Sequence, residues 1–317
     1  MGGFIGGASP NVSLIDCGSR ASEVYVSYSG TARSGPHHAI GGFVGYLWGG
    51  VDRCYSTSNV TILAGGQSSG NSWQIGGFAG YHYNSSPPAI GYWIVNRSYA
   101  SGHVTVTASA TTNAFELLVG GFMGGLYGTR IIDCYAKGNV TVNRTAGTGA
   151  AHVGGLVGFT YAGSVLERCF SVGNVSSTNT AGNNNNVGGL VGDRGSDTGV
   201  RIENNVYLGN TVTRQGGNAA GGSGSSANVP RRIGNSNGTG FVNNFAFDGV
   251  TQNSNGTNVT YTGDRTGTGR DGANISRGNL GTPNWWLITA GYNGTEAWDY
   301  SRVHADFHPK LVGVGGQ

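Results

Sequence analysis

Charge is scarce in this chain. Its 317 residues include 18 Lys and Arg and 15 Asp and Glu, or 10%, against roughly 25% in an ordinary soluble domain. Lysine occurs at Lys137 and Lys310 alone, and the net charge of +3 gathers into no basic run. That excludes the electrostatic footprint of a nucleic-acid binder. No apolar stretch approaches the ~20 residues of a helical membrane span. Apolar residues at i, i+3 and i+4 do not persist over the length a helix needs. The four cysteines, Cys17, Cys54, Cys134 and Cys169, form no Cys-x-x-Cys pair, so a zinc site lacks its usual spacing. No strict Gly-x-y period exists, which excludes collagen.

What fills the space is glycine, at 61 residues, together with Asn, Ser and Thr. Aromatics reach 10%, and Val, Ile and Thr are frequent, which argues against a disordered chain. The composition points to an all-β, turn-dense protein of the extracellular kind.

The chain is a tandem array. Gly-Gly-Phe/Leu-x-Gly recurs from Gly2, Gly41, Gly76, Gly120, Gly154 and Gly188, at intervals of 39, 35, 44, 34 and 34 residues. The equal short intervals mark a basal unit of about 34 residues with loop insertions elsewhere. A second string follows each copy: "DRCYSTSNVTI" from Asp52, "NRSYASGHVTV" from Asn96, "IDCYAKGNVTV" from Ile132, "ERCFSVGNVSS" from Glu167 and "ENNVYLGNTVT" from Glu203. "LIDCGSRASEVYVS" from Leu14 is a drifted first copy, and "VNNFAFDGVTQ" from Val242 a degenerate last one. Short strands bounded by Gly and Asn cannot bury a core alone but can when stacked. The spacing predicts a parallel β-solenoid of about six such repeats. The paired glycines are expected to supply positive φ and close backbone approach at a bend. The recurring Phe/Leu pins the register, because a one-residue slip would invert a strand's faces.

The pairing of "VGGLVG" with "C-Y/F-A/S-x-G-N-V" resembles the GLUG motif, over roughly Gly2 to Thr213. That motif recurs in large bacterial and archaeal surface proteins, including the non-catalytic repeat regions of immunoglobulin A peptidases. The resemblance implies an extracellular module for display, adhesion or assembly, and no catalytic residue or cofactor. It divides the chain into a repeat solenoid over 1–213, a Gly/Ser-rich loop over 214–228, and a degenerate repeat with an aromatic cap over 229–317.

Several residues could carry chemistry. The glycine loops lack the helix and Lys-Ser/Thr pair of a phosphate cradle. The cysteines share one repeat position with Ser98, Val206 and Asn244, a small inward-facing column. If one repeat makes one coil, Cys17–Cys54 and Cys134–Cys169 lie within bridging range, and if two, they do not. Free buried thiols are the expectation. Twelve Asn-x-Ser/Thr triplets occur. Asn139 and Asn174 belong to the repeat, where Asn suits a turn, while Asn84, Asn237 and Asn293 lie outside it. All five are candidate glycan acceptors. Trp48, Tyr83, Tyr127 and Tyr161 fall three residues past the last glycine of successive motifs, and the sixth copy has Gly195 there. Facing inward they would be a core stack, and facing outward a strip for sugars or another subunit. "VTVT" after His103 resembles the flat Thr-x-Thr arrays of ice-binding solenoids but varies between units. His304 and His308 in "HADFH" have a zinc-like spacing on a helix, without the Glu of His-Glu-x-x-His and with Pro309 following.

The aromatic-rich end is expected to close the array. The start, "MGGFIGG", is core sequence at residue 1 and suggests upstream sequence in a precursor or another molecule covering that edge. The functional expectation is a non-enzymatic surface scaffold, adhesin or fibre subunit that self-associates end to end or laterally. The alternative is a carbohydrate-binding module for cell-surface glycans. No cofactor or metal is expected.

Overall fold

The computed structural model describes residues 1–29, 37–66, 72–84, 93–109, 115–180, 184–195, 199–217, 230–235, 240–260, 264–293 and 296–317. It is a parallel β-solenoid of about six turns. Gly120 pairs with Gly154 and Gly154 with Gly188, so one repeat makes one coil.

Each full coil contributes to four sheets, best followed in the coil from Leu117 to Arg144. Sheet A takes Leu117–Gly120, sheet B Met123–Tyr127 and then Arg130–Ile132, sheet C Tyr135–Ala136, and sheet D Val140–Arg144. Equivalent strands pair in parallel from coil to coil. Alternation decides which side chains enter: Val140 and Val142 are buried while Thr141 and Asn143 are exposed.

The inward columns repeat rung by rung. Phe43, Phe78 and Phe122 stack in the core with ring centroids 4.8 and 4.7 Å apart, and Phe4, 51% exposed on the first coil, lies on Phe43 at 5.0 Å. Leu156, Leu190 and Ile233 continue the column. Each aromatic pair adds about 0.5–1.5 kcal/mol beyond its buried area. The A-to-B bend is tighter than positive φ would require. The paired glycines there do not have positive φ, so close approach alone selects them: a Cβ on Gly42 would lie 2.2 Å from the carbonyl oxygen of Gly77.

The B-to-C corner does use positive φ, without glycine. Asp16, Arg53, Arg97, Asp133, Arg168, Asn204 and Asn243 all have φ between 44° and 57°, at a cost of roughly 1–2 kcal/mol each. Their side chains recover part of it across rungs. Arg53 grips Asp16 with two bonds of 2.6 and 2.7 Å, Arg168 grips Asp133 at 2.8 and 3.1 Å, and Asn243 donates to Asn204 at 2.8 Å.

The residue after this corner points inward. Cys54, Ser98, Cys134, Cys169, Asn205 and Asn244 are fully buried there, and Cys17 partly. All four thiols are free, and each donates to a backbone carbonyl, as Cys134 does to Ile132 at 3.1 Å. Val206 does not belong to this column: it pairs with Phe170 in sheet C. Asn205 takes the place, accepting from the Cys169 amide at 2.9 Å and donating to the Leu166 carbonyl at 3.2 Å.

The C-terminal region divides into two parts. Strands at Gly234–Asn235, Phe241–Val242, Phe245–Phe247 and Thr251–Ser254 extend the sheets by a further partial coil. Thr257–Val259 then folds back antiparallel and blunts sheet D. Residues 277–293 and 296–317 run back along the flank instead of over the end. They cover the outward ladder of sheet C, Tyr55, Tyr99, Tyr135 and Phe170, whose rings stack at 5.5, 4.9 and 4.8 Å. Of the segment expected as a loop, residues 214–216 finish the strand Thr211–Gly216 and residues 218–229 lie outside the described set.

Candidate functional site: an aromatic face on sheet B

Trp48, Tyr83, Tyr127 and Tyr161 stand on the outward face of sheet B. Tyr83, Tyr127 and Tyr161 occupy one register position on consecutive strands, and the four centroids are 6.2, 4.9 and 5.3 Å apart. Trp48 is 37% and Tyr161 38% exposed, and the two between are half-buried. The surface alternative of the sequence reading is the one the fold adopts.

Sequence reading missed a second row. Two residues earlier on the same strands, Tyr46, Tyr81, Gly125, Phe159 and Asp193 share a register position. Applying the strand period of two to the first row would have found it. The inner row links to the outer one at 5.2 Å (Tyr46–Trp48), 5.8 Å (Tyr81–Tyr83) and 5.9 Å (Phe159–Tyr161). It fills the angle between sheets A and B. Phe159 packs edge-on to His152 at 5.0 Å. Asp193 accepts from Asn186 at 2.7 Å and lies 3.1 Å from Nδ1 of His152. Burial raises the Tyr81 phenol, so it remains a neutral hydroxyl.

The two gaps in these rows have a steric cause. A Cβ on Gly125 would lie 2.9 Å from the Tyr81 ring, and one on Gly195 2.6 Å from the Tyr161 ring. Rings lean toward the next coil, and glycine admits them. The interplanar angles, 36° for Tyr83–Tyr127 and 27° for Tyr127–Tyr161, turn ring faces toward each other. Edges and hydroxyls therefore point to solvent.

The remaining candidates separate clearly. Asn139 is exposed and Asn174 half-buried. The Asn139 carboxamide oxygen accepts the Asn174 amide at 2.9 Å, and that of Asn174 accepts the Asn210 amide at 2.9 Å. They belong to a rung-to-rung ladder. Asn293 is exposed, Asn84 is 7% exposed, and Asn237 lies outside the described residues. On sheet D, Thr61, Thr105, Thr141, Ser176 and Thr213 form one register column. The neighbouring column reads Leu63, Thr107, Asn143, Thr178 and Gln215, so no flat double array of threonines forms. His304 lies on the four-residue helix Val303–Asp306, while His308 is buried beyond it against Phe170 at 5.1 Å. No group of three or more His, Cys, Asp or Glu able to hold a metal gathers among the described residues, and none of their helices is long and apolar enough to cross a membrane.

Two segments, residues 37–61 and 116–141, match the family model of the GLUG motif. Each spans an A strand, the bend, the B strand and the start of a D strand. No curated protein matches the chain by sequence. Among solved structures, a proposed immunoglobulin A1 protease from Bacteroides ovatus is similar at 21% identity, with a TM-score of 0.50. The match covers 92% of this chain and 76% of that one, and it is a likeness of fold.

Proposed function

We propose that this GLUG-motif solenoid is an extracellular surface scaffold, a rigid rod that makes its contacts laterally through the aromatic face of sheet B. The observation that carries the reading is the unbroken outer row from Trp48 to Tyr161, half-exposed and free of charge, on a stiff sheet. Partly exposed aromatic edges bring contact area at low entropic cost. The carboxylates argue for a structural role as well. Asp16, Asp52, Asp133, Glu167 and Glu203 are each tied to arginine in the ladders. The antiparallel turn that blunts sheet D favours side-to-side over end-to-end packing. Stacking on sugar rings needs open ring faces, and here the inner faces are spent on neighbouring rings, which ranks glycan binding second.

The test is the triple substitution Tyr83→Ser, Tyr127→Ser, Tyr161→Ser. Electron microscopy and sedimentation should show the parent associating side by side and the variant dispersed, with circular dichroism unchanged. A parent that stays dispersed and sticks to no surface would sink the reading. Glycan-array signals lost in the variant would instead favour the carbohydrate alternative.

A further inference from the structure

A cavity of about 220 Å³ lies between the solenoid and the segment that runs back along its flank. This is below the roughly 300–1,000 Å³ of drug-sized sites, room for a molecule of about one ring. Val172, Leu208 and Phe247 form the solenoid wall, and Leu280 and Phe307 the opposite one.

Polar groups are few and specific. The Arg277 guanidinium lies 5.0 Å over the Phe247 ring and 5.6 Å over the Phe307 ring. Among the described residues no carboxylate pairs with it. Cation–π contact orients the fork and leaves its in-plane N–H donors open. Among the described residues, the one carboxylate lining the cavity, Asp306, is shared by Arg302 at 3.4 Å and Lys310 at 3.9 Å. The local balance is therefore positive.

His308 supplies the opposite function. It is 6% exposed, and its Nδ1 lies 2.9 Å from the carbonyl oxygen of Pro309. Burial, with the nearby Lys137, pushes the imidazole down to about 4. It is neutral at pH 7, and with Nδ1–H donating to that carbonyl, Nε2 is left as an acceptor. A ligand matching this set carries a carboxylate for Arg277, a hydroxyl for His308 and an apolar edge for Val172, Leu208 and Leu280.

We infer that the cavity binds a small hydroxylated carboxylate of single-ring size, of the acidic-monosaccharide class. The inference stands apart from the lateral-contact reading, because none of these residues lies on sheet B. Because the occupant would touch both the solenoid and the flanking segment, binding should also raise the melting temperature.

The test titrates the whole chain with D-glucuronate and, separately, with D-glucose, followed by calorimetry and thermal shift. Glucuronate should bind about tenfold or more tightly than glucose, since only it can make the charge-assisted pair. Arg277→Gln should abolish that preference, and Arg277→Lys should restore part of it. Arg277 is exposed, so both variants should melt close to the parent without ligand. Equal affinity for the two sugars, binding of neither, or a preference that survives Arg277→Gln would each overturn the assignment.

Discussion

His82 stands in a column whose neighbours on either side are Leu47 and Leu126. It is fully buried, its Nε2 lies 3.1 Å from the Gly49 carbonyl oxygen, and its Nδ1 has no partner among the described residues. Burial drives its pKa down to about 3, with the Gly49 carbonyl opposing. An unfolded chain would titrate this group near 6.5. Between those values the unfolded state binds more protons, so stability is complete above about pH 6.5 and falls as pH drops toward 3, by about 1.4 kcal/mol per unit. His308 adds the same trend down to about 4. His82→Leu should therefore flatten the pH dependence and move the acid midpoint lower. Urea unfolding at pH 7 and pH 4.5 measures it; an unchanged difference between the two would mean His82 does not control it. The inward place after the B-to-C corner is legible as a Cys/Ser column, but the repeat string alone puts Val206 there in place of Asn205. Both are small, and only the amide's bonds to the Cys169 amide and the Leu166 carbonyl separate them.

At the scale of one coil, the glycine pattern carried most of the fold, because glycine is required where backbones touch. The third motif glycine shows this most sharply. A Cβ on Gly158 would lie 2.4 Å from the Val119 nitrogen and 2.6 Å from the Gly124 oxygen, backbone atoms that cannot rotate away. Gly158→Ala should cost at least the 1–3 kcal/mol typical of overpacking. Gly6, also in the array, has nothing within 4 Å of such a Cβ, and Gly6→Ala should stay within about 0.5 kcal/mol. Chemical denaturation of the two variants beside the parent measures the contrast, and equal losses would show that close approach is not what selects the motif glycines. The constant offset from the last motif glycine was equally legible, and it placed Trp48 through Tyr161 at one position of successive coils. Which face could not be read, because Tyr fits a buried and a half-exposed column alike. The inner row settles it physically: Phe159 and Tyr81 fill the angle against sheet A, which pushes the outer row to the rim.

Over the whole molecule, the solenoid alone would be a chain of nearest-neighbour contacts, free to fray coil by coil. The flanking segment changes that. Trp285 packs on Phe245 at 5.2 Å, and Trp298 on Phe170 at 5.6 Å and Tyr135 at 6.4 Å. The Tyr99 hydroxyl donates to the Gly315 carbonyl at 2.7 Å. One strap thus ties together strands of sheet C from Tyr99 to Phe245. The aromatic richness of this region predicted a packed closing element. Its path along the flank was illegible, because the outward Tyr/Phe ladder it covers belongs to the repeats and looks like any exposed column. Trp298 is the place to test the strap. It is 5% exposed, and its indole N–H donates to Asp133 at 2.9 Å, so it clamps the charged corner ladder as well as the rings. Trp298→Ala should cost about 3–5 kcal/mol. The sharper expectation concerns cooperativity. The parent should unfold in one transition, with calorimetric and van't Hoff enthalpies equal. With the strap loosened, the coils should uncouple, the van't Hoff enthalpy should fall below the calorimetric one, and ring signals should change before backbone signals. A variant that merely melts earlier, in a single coincident transition, would show that the inward ladders alone make the molecule cooperative.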